Sequence, residues 1–179
     1  VNQMFFSELY HDGWLSSWES YDEQVKTIAG DCVDLNTENA RVRRYIIDCY
    51  NRMIDMGVDA FRIDTVKHVS RYIFNRYFNP AFKARGGENF YMFGEVCTRV
   101  RSVWNRNIPA LSSPFYTWKE RKDYTGMPDS EAVYQNWLDN NSNPGEQPRS
   151  GNHYLQGNNY HQPDYSQNSG MAVIDFPMH

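Results

Sequence analysis

Gly57-Val58-Asp59-Ala60-Phe61-Arg62-Ile63-Asp64 is the stretch that decides how this chain folds. Residues 58–64 read as a short strand, because Ala60, Arg62 and Asp64 alternate with Phe61 and Ile63 along an extended backbone. One face carries two charges and the other is apolar. Immediately before it, Gly57 supplies a left-handed helix stop. Further upstream Val42, Ile46, Cys49, Met53 and Met56 recur at helical spacing, which predicts an amphipathic helix capped by Asn36 or Thr37. Downstream, residues 69–77 predict a second helix, Pro80 marks a break or a restart, and residues 90–96 form a second strand ending in Gly94 and Glu95. Helix, strand, helix, strand is the order of a parallel α/β sheet. A further helix is expected over 130–140 and a third strand over 171–176. The first thirty residues and the polar stretch 140–170 are expected to be loops, and an excursion as long as the second is usually functional.

Composition narrows the function classes. The 179 residues hold 18 Lys and Arg against 22 Asp and Glu, a net charge of −4, so there is no basic surplus to bind nucleic acid. A 40% hydrophobic and 16% aromatic content suffices for a buried core. No run of about 18 apolar residues is present, which argues against a membrane-spanning helix. No leader pattern opens the chain. Cys32, Cys49 and Cys97 are odd in number and scattered, suggesting neither a disulfide framework nor a zinc ribbon. The histidines lack metal-binding spacing.

Asp64 and Glu95 lie 31 residues apart, room for one strand-helix-strand unit. Both fall at the C-terminal ends of parallel strands, where side chains of an α/β barrel converge on the active-site mouth. Paired carboxylates suit glycoside cleavage, one as nucleophile and the other as acid then base. They equally suit helix capping or surface ion pairing. Arg62, on the face of Asp64, can keep that carboxylate ionised, or can simply fill a barrel interior as its ion-pair partner. Lys67 and His68 follow on a loop where substrate contacts are expected. Tyr91 and Phe93, near Glu95, can raise its pKa by desolvation. Trp14, Trp18, Tyr154 and Tyr160 are candidates to stack on sugar rings.

The string Asp59-Ala60-Phe61-Arg62-Ile63-Asp64-Thr65-Val66-Lys67-His68 resembles the second conserved region of the α-amylase family of glycoside hydrolases. Phe93-Gly94-Glu95-Val96 is similar to the third region, in the same order and at a matching separation. Val33-Asp34-Leu35-Asn36 resembles the short motif closing the family's B domain, with Val33 in place of the usual Pro. Residues 171–178 are similar, less specifically, to a sixth barrel strand. The resemblance implies a partial TIM (β/α)8 barrel, strands four to six, with residues 1–35 as the end of a B-domain-like loop region and 36–179 as the barrel part, including the loop 140–170.

In this likeness Asp64 is the nucleophile, Glu95 the acid/base and Arg62 the residue that orients Asp64, while Lys67 and His68 contact the sugar. Lys and His at these places resemble α-amylases and cyclodextrin glucanotransferases, which implies an α-1,4-glucan substrate. Asp34 and the backbone carbonyl of His68 would be calcium ligands, an oxygen set suited to that ion. Asp34 can also be read as a turn or cap residue beside Asn36. Export to the cell surface, periplasm or medium is the family expectation.

Nothing here resembles the family's first or fourth region, the latter holding the third catalytic carboxylate. An internal segment of a barrel is therefore expected, inactive alone, whose partner is the remainder of the barrel from the parent chain. Two alternatives stay open: a non-catalytic glucan- or calcium-binding segment, and an α-glucan transglycosylase of the same family.

Overall fold

The computed structural model describes residues 7–16, 21–96, 104–105, 108–109, 116–141 and 163–175. Helix α1 spans Ala40–Asp55, and its N-cap is Asn39, whose side chain accepts from the Arg41 amide at 2.8 Å. Asn36 does not cap α1. Its Oδ1 accepts from the Asn39 amide and its Nδ2 donates to the Glu8 carbonyl, which moves the helix start three residues on. The buried side of α1 also differs from the expected stripe. Ile46, Ile47 and Ile54 pack on the core with Val42, whereas Met53 and Met56 are exposed. At about 100° per residue the buried positions centre roughly 80° round the helix from the expected stripe, so the buried face is rotated and Met53 and Met56 lie toward its solvent side. Gly57, at φ +98°, closes α1, with its amide donating to the Ile54 carbonyl and that of Val58 to Met53. These two bonds make a Schellman cap.

Strand β1 (Ala60–Ile63) pairs in parallel with β2 (Tyr91–Val96). The crossover between them begins with a 3-10 turn, Val66–His68, and α2, Arg71–Ile73, capped by Ser70. A π-helical turn, Phe74–Phe78, leads into α3, Asn79–Gly86, with Pro80 in its first turn. Pro80 thus restarts the helix. Its lack of an N–H leaves a carbonyl in the preceding turn without its usual donor, and the ladder widens there.

Two short strands, β3 (Trp104–Asn105) and β4 (Ile108–Pro109), pair antiparallel, as do β5 (Trp118–Glu120) and β6 (Pro163–Asn168). Between the latter two lies α4, Asp129–Asn141. Strand β6 corrects the expectation of unbroken loop over 140–170. It has no apolar alternation to announce it, because its pairing is supplied by distant β5. Strand β7 (Ala172–Asp175) then joins the free edge of β2 in parallel, giving the order β1-β2-β7. The described strands form a parallel α/β segment and no closed barrel, and β1 and β7 each pair on one side only.

The helix-facing side of the sheet is an aromatic layer. Phe61 meets Phe90 at 4.9 Å, Tyr50 at 5.3 Å and Phe82 at 5.5 Å between ring centres, all edge to face. Asp129, at the start of α4, accepts from Arg43 and Tyr77, each at 2.6 Å, tying α4 to α1 and the crossover. Cys32 and Cys49 are free thiols, and Cys97 lies outside the described residues.

Gly94 is where backbones come closest. A Cβ there would collide with Val66 Cγ2 and come within 3.2 Å of Met171 Sδ. Gly94→Ala is therefore expected to cost about 2 kcal/mol of unfolding free energy by overpacking. Urea denaturation checks this, and an unchanged midpoint would contradict it.

Candidate active site

In the β1–β2 register Arg62 lies opposite Phe93 and Ile63 opposite Gly94, so the next pair brings Asp64 beside Glu95. Opposed residues of parallel strands project to one face. Arg62, Asp64 and Glu95 meet there, on the side of the sheet away from the aromatic layer. Nη2 of Arg62 donates to Glu95 Oε2 at 3.1 Å, and its Nη1 lies 3.6 Å from Asp64 Oδ2. The closer bond goes to Glu95, not to the Asp64 partner expected from same-face spacing. The two carboxyl groups are also hydrogen-bonded to each other.

That contact splits their protonation. Asp64 is held below the ordinary carboxylate range, first by the Glu95 carboxyl donating to it, then by the Arg62 charge and the Thr65 amide. Glu95 is pushed up, first by the bond to Asp64, then by desolvation and the Asp64 charge. Asp64 is 67% exposed and Glu95 22%. The better-solvated group is thus the one that ionises. Desolvation by Tyr91 and Phe93 was the expected cause for Glu95; it ranks second here, and the Tyr91 ring is exposed.

Thr65 is a contributor that sequence reasoning missed. Its φ of 49° makes it the only non-glycine residue with positive φ among those described, an outlier for a β-branched side chain. In this conformation its N–H serves both carboxyl groups. Strain of this kind persists where the surroundings impose it.

Lys67 and His68 part company. Lys67 is 6% exposed, buried within the 3-10 turn rather than presented on an open loop as expected. That turn is closed by the His68 and Val69 amides donating to Thr65 and Val66, and it directs Lys67 inward. His68 is half-buried and shares with Arg62, Asp64 and Asp34 a cavity of about 550 Å³ along the open edge of β1.

Asp34 has a partner that spacing could not reveal. Its Oδ2 accepts from His11 Nδ1 at 2.6 Å, and His11 Nε2 meets Glu38 at 2.5 Å. Burial lowers the His11 pKa, but the two carboxylates outweigh it and bring the pKa up to about 9, so the ring is an imidazolium donating at both ends. Burial pushes the Asp34 carboxyl up, against the pull of His11. Backbone bonds reinforce the clamp: His11 to Asp34 at 2.9 Å, and Asn36 to Leu9 at 2.9 Å. Trp18, Tyr154 and Tyr160 lie outside the described residues, and Trp14 is exposed.

Residues 6–94 match the α-amylase catalytic domain. The chain belongs to the α-amylase family. The cyclomaltodextrin glucanotransferase of Klebsiella oxytoca is 32% identical over 89 residues, 48% of this chain and 14% of that protein. The α-amylase of Streptomyces lividans is 34% identical over 99 residues, 53% of this chain and 11% of that protein. Among solved structures, an Anoxybacillus α-amylase superposes with a TM-score of 0.50 at 26% identity, covering 54% of this chain and 22% of that one. This α-amylase-family chain therefore spans 11% to 22% of the length of these three relatives. The segment that matches the catalytic domain contains Asp34, Arg62, Asp64 and His68 and ends one residue short of Glu95.

Proposed function

We propose that this chain carries the nucleophile and the acid/base of a retaining glycosidase acting on α-1,4-glucans by double displacement. Asp64 attacks the anomeric carbon while Glu95 gives its proton to the departing oxygen. Glu95, then ionised, takes a proton from water as it releases the sugar from Asp64. The observation that carries this reading is the opposite shift of two carboxyls that share a hydrogen bond and one guanidinium. Arg62 touches both and keeps the pair in register through both steps. His68, in the cavity with Asp64, is a sugar contact. Lys67 reaches the sugar only if its turn opens.

In this reading β1, β2 and β7 are strands four, five and six of a barrel, whose other strands cover the open edges and bring the third carboxylate. The chain alone does not turn over starch. For calcium, Asp34 and His68 line one cavity, and the hard-oxygen chemistry of a carboxylate with the His68 carbonyl suits the ion. The described residues contain no cluster of three side-chain ligands, so these two would supply part of a shell completed from elsewhere. The likeness to a glucanotransferase supports a second reading, in which a sugar hydroxyl replaces water as acceptor.

The anomer of the first product tests the mechanism. With the barrel complete, proton NMR of maltooligosaccharide cleavage is expected to show the α-anomer appearing first. An initial β-anomer would contradict double displacement.

A further inference from the structure

Tyr116 lies well beyond residue 94, where the match to the catalytic domain ends, yet its side chain reaches the turn that follows Asp64. It is fully buried. Its hydroxyl donates to the Val69 carbonyl at 3.1 Å and accepts from Gln24 Nε2 at 3.4 Å, so the buried Gln24 amide leaves the hydroxyl proton for Val69. The ring sits edge-on to Phe74 at 6.2 Å between centres. Its backbone is gripped as well: Ser169 Oγ donates to the Tyr116 carbonyl at 2.6 Å, and the Ser169 amide to that of Thr117 at 2.9 Å. Arg71, fully buried, adds a bond from Nη2 to the Trp118 carbonyl at 2.6 Å, and its Nε lies 3.5 Å from Glu120.

Val69 is the far end of the turn that begins at the carboxyl pair. Its amide donates to the Val66 carbonyl and that of His68 to Thr65, both at 3.0 Å, and Thr65 follows Asp64 directly. Val66 is fully buried against Gly94, the residue before Glu95. The turn therefore touches both carboxyl-bearing strands, one through the chain and the other through packing. From this geometry we infer that Tyr116 is a positioning residue for the catalytic pair: by holding the Val69 carbonyl, its hydroxyl keeps the 65–69 turn closed and Asp64 in register with Glu95. This rests on the glycosidase reading above. A residue in the left-handed region, as Thr65 is, keeps that conformation only where its surroundings impose it. Without the hydroxyl, the Val69 carbonyl loses its partner and the turn loses its outer anchor.

In the complete barrel, Tyr116→Phe keeps the ring and removes only the hydroxyl. Measured well below the unfolding midpoint, it is expected to lower kcat on maltoheptaose about tenfold while KM stays within about twofold of wild type. Ser169→Ala, which releases the Tyr116 carbonyl, is expected to lower kcat by a smaller factor. Asp129→Asn loosens the ties of α4 away from this turn, and is expected to lower the urea midpoint with kcat unchanged. Wild-type kcat in a folded Tyr116→Phe enzyme would overturn the inference and leave the glycosidase reading standing, as would an equal fall of kcat in Asp129→Asn. Should Tyr116→Phe fail to fold, Ser169→Ala decides, and wild-type kcat there overturns it. If the wild-type barrel leaves maltoheptaose uncleaved, both readings fall together.

Discussion

Asp64→Asn, placed in the complete barrel, is expected to lower kcat on starch by about 10⁴-fold or more, with a much smaller change in KM. Loss of a covalent nucleophile removes a step rather than a contact, and a barrier rise of about 5 kcal/mol corresponds to that factor. The amide is nearly isosteric and leaves the site neutral where Arg62 expects a charge, so binding survives better than turnover. Steady-state kinetics on starch and on maltooligosaccharides checks it. Near-normal turnover would remove Asp64 from the mechanism, and a loss confined to KM would make it a binding group.

Glu95→Gln is expected to have the second largest effect, and its pattern is more telling than its size. On starch, whose leaving oxygen needs a proton, kcat should fall about 10³-fold. On a maltosyl fluoride, which departs without protonation, formation of the glycosyl-enzyme should be nearly unimpaired. The pH profile follows from the two shifts. Activity requires Asp64 ionised and Glu95 protonated, so it rises with pH through the lowered pKa of Asp64 and falls through the raised pKa of Glu95. Glutamine at 95 should erase the alkaline limb and leave the acid limb in place. A profile that keeps both limbs would assign the alkaline one to another group.

The meeting of Arg62, Asp64 and Glu95 was legible in the sequence because it depends on two short-range rules. Alternation sets which side chains share a face, and one crossover sets which strands lie side by side. The same rules say nothing about how the guanidinium divides itself. Arg62 favours Glu95 because the neighbouring strand brings that carboxylate nearer than the one two residues along its own backbone. Lys67 was misjudged for a related reason: position after a strand suggests exposure, but a tight 3-10 turn can direct a side chain inward.

His11 was invisible because its carboxylate partners lie 23 and 27 residues away, and no periodicity links them. Strand β6 was hidden by its polar composition, being held by pairing with β5 rather than by a buried face. The N-cap is Asn39 rather than Asn36 because the acceptor oxygen of Asn36 is taken by the Asn39 amide, leaving Asn39 to accept from Arg41. Helix existence and strand order were local matters; the tertiary ties of residues 8–11 were not.

The central claim is that Asp64 forms the covalent bond to sugar, and trapping tests it most directly. In the Glu95→Gln enzyme, maltosyl fluoride should glycosylate the nucleophile while the missing base leaves release slow, so the adduct accumulates. Peptide mass mapping is predicted to find one maltosyl group on the carboxylate of Asp64. A label on any other residue, or turnover proceeding with no adduct at all, would contradict the account.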